Sequence, residues 1–476
     1  MKKNLIFLCT FFVLAIVGCN DDESTTTAES NAVAFVSPNV NLSLDATTVN
    51  VVFEKPAAAN GTVTLNALAT NVVYGTDFTT APTIANNTLV IPFEAGATAA
   101  SFTFNKLTDA IEGQIKNVVF TIASVSVAGV TIPEATESVQ LNYEENPIEA
   151  NTVLPSIGGP NVPNQVFVDL SSGIETSVER TKWDLGFYSG NDFRVAINGS
   201  LKMAAKKLDI TDMTQAVTID ETVAVGEGGG SGVVNGNSAY VDHPTGDITQ
   251  TVIAVSATES DNKVYLVNLG HNLSTVAPGI GSVNPYGNSR GWKKVRVLRS
   301  GNDYKLQYAD INATTFQEVT VSKNAAFNFT FFSLTSNTVV SAEPEKVKWD
   351  INFTPFTNFT NFGGGDVSYA FQDFIVTNSK GGTKVYQVLN TAGVLYNDFA
   401  LSNVVDANFA ASEADQRIIG SSWRNGGGPN TLPSTRDDRF YVVKDVTGNV
   451  YKIRFISMTN TAGERGNVSF EYKRLQ

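Results

Sequence analysis

The chain has 476 residues, with 33 Lys and Arg against 46 Asp and Glu, and a net charge of −13. Such acidity disfavours nucleic acid or an anionic membrane surface as a partner. Charged residues are only 17% of the chain, and β-branched and aromatic residues broken by Gly and Asn turns predict an all-β protein of two or three domains.

The chain starts Met1-Lys2-Lys3 and runs apolar from Leu5 to Val17. A basic start and a short apolar run predict a secretory signal over residues 1–18, too short to span a bilayer as a stable helix. The run closes Leu14-Ala15-Ile16-Val17-Gly18-Cys19, which resembles a bacterial lipobox. The resemblance implies cleavage before Cys19 and a diacylglycerol on its thiol. Each buried CH₂ then contributes about 0.8 kcal/mol to membrane attachment. Cys9 leaves with the signal, so no disulfide forms within the mature chain. Loss of Lys2 and Lys3 takes the charge from −13 to −15. Residues 19–31 open Asn20-Asp21-Asp22-Glu23-Ser24 and continue in small polar residues, a composition that predicts a disordered tether. This tract is similar to the acidic export signal of Bacteroidetes surface lipoproteins, which implies an outer-membrane position facing the exterior. No second apolar run is long enough to cross a membrane.

Residues 32–146 are dominated by short alternating runs. Val33–Val36, Thr48–Phe53, Thr62–Leu65, Thr88–Phe93, Ala100–Phe104 and Val118–Ile122 predict a β-sandwich. The order Tyr74-Gly75-Thr76-Asp77-Phe78, a strand ending at Phe93, Glu94-Ala95-Gly96-Ala97-Thr98, and Asp109-Ala110-Ile111-Glu112-Gly113 resembles a Calx-beta domain. The resemblance implies an Ig-like sandwich that either binds Ca²⁺ or serves as a structural spacer. Six to eight oxygens are needed for Ca²⁺, and Asp77, Asp109 and Glu112 are the plausible carboxylates.

The rest of the chain contains a duplication, expected as sandwich repeats over 155–325 and 326–476. The first copy has Val166–Ser172 and then Lys182-Trp183-Asp184-Leu185-Gly186-Phe187. The second has Phe331–Ser336 and then Lys348-Trp349-Asp350-Ile351-Asn352-Phe353. Strands ending at Asn198 and Asn378 follow, and Lys202–Leu208 suits one short helical turn. An aromatic, Gly-rich insertion from Thr354 to Gln372 marks the second copy. Val297–Tyr308 and Val443–Phe455 read as matching closing hairpins around Gly-Asn turns. Trp183, Asp184, Trp349 and Asp350 are expected to be architectural, each ring filling a core and each carboxylate accepting from a turn. The stretches Gly226–Gly232 and Gly426–Gly428 lack the Lys and helix of a phosphate loop and predict flexible loops.

The Trp-Asp-[Ile/Leu]-x-Phe strand after a Ser/Thr-rich hairpin, and the ending from Arg439-Phe440-Tyr441-Val442-Val443 through Tyr472, resemble the HmuY family of haem-binding Bacteroidetes lipoproteins. Two copies in one chain depart from that family's usual single copy. The resemblance implies haem captured between strands by two axial His or Met ligands, and passage to a TonB-dependent outer-membrane receptor. The histidines are His243 and His271, both in loops of the first copy, with Met203 and Met213 nearby in sequence. They stand as haem ligands or as two loop histidines and two core methionines. The second copy has no His. No other tightly bound organic cofactor is implied.

Hydrolase chemistry of the Ser, Cys or zinc type needs a base or a metal triad, which these residues do not supply. No carboxylate pair stands out for glycoside hydrolysis. The expectation is therefore a binding protein and not an enzyme. The alternative to haem capture is a haem-free adhesion or glycan-binding lipoprotein using Phe356, Phe359, Phe362, Tyr369 and Trp423.

Overall fold

The computed structural model describes residues 31–43, 45–111, 114–229, 232–234, 237–361, 365–427 and 432–475. The signal, Cys19, most of the tether, Glu112, Phe362 and parts of both glycine stretches lie outside the described residues. The chain divides into two compact units, residues 31–110 with 114–144, and residue 111 with residues 145–475.

The smaller unit is a β-sandwich. One five-stranded sheet runs Val130–Thr131, Asn31–Phe35, Ala46–Phe53, Ala99–Lys106, Phe78–Ala81. The other runs Asn39–Leu42, Ser138–Tyr143, Asn117–Val125, Gly61–Thr70, Thr88–Phe93. Every run expected as a strand here falls on one, except that the first ends at Phe35 and leaves Val36 in a bend. Alternation places Val49, Val51, Phe53, Phe102, Phe104 and Phe120 in one core, as a period-2 pleat requires. Phe102 packs on Phe120 at 4.7 Å and Phe78 stacks on Phe104 at 4.9 Å. Pro92 falls in Thr88–Phe93, an edge strand, where a missing N–H costs no ladder bond.

The larger unit holds two sandwiches whose boundaries do not follow the sequence copies. The opening hairpin of the first copy, Asn164–Val168 with Glu175–Glu179, pairs with the Trp349-Asp350 strand of the second copy, Val166 facing Phe353. The opening hairpin of the second copy, Phe329–Ser333 with Thr338–Val340, pairs with the Trp183-Asp184 strand of the first, Leu185 facing Phe332. The edge strands follow the hairpins. Gln317–Val321 completes the sheet Ala204–Lys207, Tyr265–Asn268, Trp292–Ser300, Asp303–Asp310, while Ala150–Val153 completes Lys384–Leu389, Arg439–Lys444, Val450–Thr459, Arg465–Arg474. The copies thus exchange their opening strands within one chain. One core gathers Leu185, Phe187, Tyr304, Phe332 and Leu334. The other gathers Val168, Leu170, Ile351, Tyr451 and Phe470.

Three sequence expectations change. Glu227–Gly229 pairs with Gly232–Val234 where the glycine pattern predicts a flexible loop. Lys202–Leu208 does not form a helical turn: Gly199–Leu201 is a single 3-10 turn, Lys202 turns left-handed at φ 63°, and Ala204–Lys207 is a strand. Pairing with Tyr265–Asn268, which buries Ala204 and Ala205, overrides the helix preference of Ala and Lys. The closing hairpins also correspond differently. Val295 faces Tyr308 and Arg296 faces Gln307; Ile453 faces Tyr472 and Arg454 faces Glu471. Lys294-Val295-Arg296 therefore matches Lys452-Ile453-Arg454. The Gly-Asn turns follow different strands of the two sheets, so matching turns does not match strands. The insertion Thr354–Gln372 extends a hairpin, Ile351–Asn361 with Asp366–Thr377, past a bulge between Thr354 and Phe356.

Candidate functional site

The two Trp-Asp pairs clamp the exchanged hairpins. Asp184 accepts the Leu334 N–H at 2.7 Å through Oδ2, and its Oδ1 lies 2.7 Å from the Arg290 guanidinium. Asp350 accepts the Leu170 N–H through Oδ2 and the Thr383 hydroxyl through Oδ1, both at 2.9 Å. Each carboxylate thus grips a turn belonging to the other copy. Phe331 packs on Trp183 at 4.7 Å and Phe167 on Trp349 at 5.0 Å. Asn198 donates to the Trp183 carbonyl and Asn378 to that of Trp349, both at 2.8 Å. Burial, with Asp169 and Asp445 nearby, pushes Asp350 up to about 8. Trp423 is also interior, its indole N–H donating to the Asp373 carbonyl at 3.1 Å.

A cavity of about 200 Å³ opens where the two copies meet. Trp183, Trp349, Phe331 and Phe356 give it aromatic walls. Asp242, Glu343 and Lys380, none of them singled out by sequence pattern, supply ionisable groups. Asp242 accepts the Ile197 and Val252 N–H groups at 2.8 Å, and burial pushes it up to about 6. Glu343 accepts the Phe329 N–H at 2.9 Å and is pushed up to about 8 by burial. Lys380 donates to the Gly246 carbonyl at 2.6 Å; burial lowers it to about 8, opposed by Asp242 and Glu343. These residues are far apart in sequence, and only the folded chain reveals them.

Of the four candidate haem ligands, His243 and Met203 line this cavity, while His271 and Met213 do not. Met203 is fully buried in one sandwich core and Met213 packs in a small cluster with Val264 and Ala309. Nδ1 of His243 lies 2.7 Å from the Thr245 hydroxyl, and its ring meets Phe359 edge-on at 5.3 Å. His271 differs. Its Nδ1 lies 3.0 Å from the Gly287 carbonyl, which can only accept, so Nδ1 carries the proton and the Nε2 lone pair is left for a metal. The His271 ring lies 5.9 Å from Tyr286, and the Lys202 ammonium stands 4.4 Å from the same tyrosine ring. The four residues do not form one bis-axial site at the cavity. His271, with its tautomer set by a carbonyl, is the residue whose chemistry fits an axial ligand.

In the smaller unit two of the three Ca²⁺ candidates, Asp77 and Asp109, are described, and Glu112 lies outside the described residues. The Lys116 ammonium lies 3.3 Å from Asp77 Oδ1 and 3.4 Å from the Asp109 carbonyl, so a side-chain cation stands between the two aspartates. Asp77 also accepts from Thr108 at 2.7 Å and from the Val73 N–H at 2.8 Å. Thr108 first, then Val73, hold its carboxyl below the usual range. Asp109 instead pairs with Lys106 at 2.6 Å. Among the described residues, no group of three or more His, Cys, Asp or Glu is placed to hold a metal ion.

The architecture defines an all-β protein with a sandwich followed by two interlocked sandwich repeats. The family model described as HmuY protein matches residues 161–320 and 325–472, well over half of the chain in two tandem regions. The chain belongs to the HmuY family. Solved structures similar to its N-terminal part include the apo form of the Calx CBD1 domain, at 16% identity, covering 24% of this chain and 96% of that one, with a TM-score of 0.20. A two-domain protein of unknown function from Bacteroides fragilis matches at 10% identity, covering 37% of this chain and 70% of that one, with a TM-score of 0.19. No curated protein matches the chain. Among the described residues, no helix is long and apolar enough to cross a membrane.

Proposed function

We propose that this chain is a surface lipoprotein, anchored through Cys19, that captures haem or a related porphyrin and passes it to an outer-membrane receptor. It is a binding protein and not an enzyme. Family membership supports the ligand class. The single observation that carries the reading is His271, whose Nδ1 lies 3.0 Å from the Gly287 carbonyl, so that its neutral imidazole presents the Nε2 lone pair to a metal. When bound, haem would supply an iron centre for this one imidazole.

Haemin titration of the purified chain, followed at the Soret band, tests this. A saturable shift in the wild type and in His243→Ala, abolished in His271→Ala, is expected. A flat titration, or one unchanged in His271→Ala, would sink the reading.

The second reading is a haem-free adhesion or glycan-binding lipoprotein. It is favoured by half-buried Tyr369 and Phe371 on the extended hairpin, whose rings meet at 5.4 Å. Phe356 contributes less, because it stacks on Phe374 at 4.4 Å. Glycan-array binding with a flat haemin titration would favour this alternative.

A further inference from the structure

Two guanidiniums in the larger unit share one carboxylate. Arg424 lies in the short strand Arg424–Asn425, and Arg465 opens the last strand, Arg465–Arg474. Both meet Asp373, which takes a left-handed φ of 47° beside the bulge of the extended hairpin. Oδ2 of Asp373 accepts from Nε of Arg465 at 2.8 Å and also from its Nη2, and Nε of Arg424 lies 3.4 Å from the same oxygen. The Arg424 and Arg465 side chains are only 11% and 10% exposed. Asp373 therefore balances one of two largely buried cations, and one positive charge is left over. Burial lowers the Arg424 guanidinium from its ordinary value; Asp373 opposes this and the like charge of Arg465 adds to it. A buried charge without a partner is costly, so the surplus calls for an anion.

The two forks are held in place with one corner open. Nη2 of Arg424 donates to the Gln372 carbonyl at 2.7 Å, and Nη1 of Arg465 to the Gly426 carbonyl at 3.3 Å. Nη1 of Arg424 has no hydrogen bond among the described residues and, unlike its Nε, keeps surface open to solvent. Gly426 stands beside it. A Cβ there would lie 3.0 Å from Nη1 and would meet nothing else within 4 Å. Gly426 is not among the residues with positive φ, so its backbone does not demand a glycine. What the missing side chain provides is space next to Nη1, as where a backbone approaches a ligand. The chain as a whole carries −13 and its overall field disfavours anions, so an anion here is held by local geometry.

We propose that Arg424, Arg465 and the space at Gly426 form a binding site for a small oxyanion, a carboxylate or a phosphate group. Guanidinium forks match both groups. The guest takes the free N–H of Arg424 Nη1 and supplies the negative charge that Asp373 alone does not. The site shares no residue with His271, so failure of haemin binding leaves it standing, and its own failure leaves the haemin reading standing.

The test titrates the full chain with sodium phosphate and, separately, with sodium acetate, at neutral pH and constant ionic strength. Binding is read by calorimetry and by the rise in melting temperature. The same titrations are run on Arg424→Gln, in which Asp373 and Arg465 remain a balanced pair. Saturable binding of one or both anions at one site per chain is expected, weakened about tenfold or more in Arg424→Gln, as befits loss of a charged hydrogen bond. Saturation by phosphate alone or by acetate alone identifies the group. No saturable binding by either, or equal binding by Arg424→Gln, overturns the proposal and leaves both arginines as structural partners of Asp373. Should Arg424→Gln not unfold cooperatively, Gly426→Val keeps every charge and fills the space. It is expected to weaken the same anion several-fold, and unchanged binding overturns the proposal equally.

Discussion

Asp184 and Asp350 occupy matching places in the two sandwiches, each gripping a backbone N–H of the other copy's hairpin, yet their second oxygens meet different partners. Asp184 faces the Arg290 guanidinium at 2.7 Å. Asp350 faces only the Thr383 hydroxyl, with Asp169 and Asp445 close enough to disfavour its charge, and is pushed up to about 8. The same clamp is thus built once as a buried ion pair and once as a carboxyl that burial drives toward the neutral form. A duplicated motif preserves the backbone contact it makes and leaves its charge compensation to whichever loop arrives. The buried lysines support this. Lys294 donates to the Gln215 and Ala313 carbonyls, and Lys452 to those of Tyr396 and Phe399, so matching amines pin unrelated loops.

The largest effect should come from breaking the ion-paired clamp. Asp184→Ala strands a buried guanidinium, and losing one partner of such a pair costs about 3–5 kcal/mol. Asp350→Asn keeps a neutral acceptor and should cost about 1 kcal/mol at neutral pH, in line with one altered hydrogen bond. All four tryptophans lie in the larger unit, so urea unfolding followed by tryptophan fluorescence reports it selectively. Equal losses for the two substitutions would show that Arg290 contributes nothing to the difference.

Next in size is the exchange itself. Phe167→Ala and Phe331→Ala each remove a buried ring from a partner tryptophan, at a cost of about 3–5 kcal/mol. If the hairpins cross between copies, both substitutions should lower one shared unfolding transition. Two separate transitions, each sensitive to one substitution, would show that the sandwiches unfold independently.

A smaller effect should appear with pH. Asp242, Glu343 and Asp350 are raised in the folded chain, so the folded state binds more protons than the unfolded state above about pH 4, up to the raised values near 6 and 8. Stability should therefore fall as pH rises from about 4 to 8. The melting temperature at pH 5 should exceed that at pH 8 by a few degrees. Asp350→Asn should flatten the slope. A flat wild-type profile would remove the contrast between the two clamps.

The smallest is the coupling across one ring pair. A double-mutant cycle on Phe167 and Trp349 should give about 0.5–1.5 kcal/mol. A value near zero would mean that the edge-on contact adds nothing beyond burial.

Much of this architecture could be read along the chain. The alternation in Thr48–Phe53 and Ala100–Phe104 marked strands because a pleat sends neighbours to opposite faces. The two Trp-Asp strands marked the duplication because identical packing demands identical residues. The site was less legible. His243 and His271 are similar in sequence setting, and only the carbonyl of Gly287 against the hydroxyl of Thr245 separates them. The carboxylates Asp77 and Asp109 read as candidate cation ligands, and nothing in the local sequence indicated that Lys116 would stand between them.

Local sequence determined most of the strands and turns, though not the strand Ala204–Lys207, and that one module occurs twice, because propensity and periodicity act over a few residues. Tertiary structure alone decided which copy's hairpin closes which sandwich. Both hairpins carry the same pattern, and either Trp-Asp strand presents the same edge to them. The seam cavity follows from that choice, since its walls combine residues that lie more than 150 positions apart, such as Trp183 and Trp349.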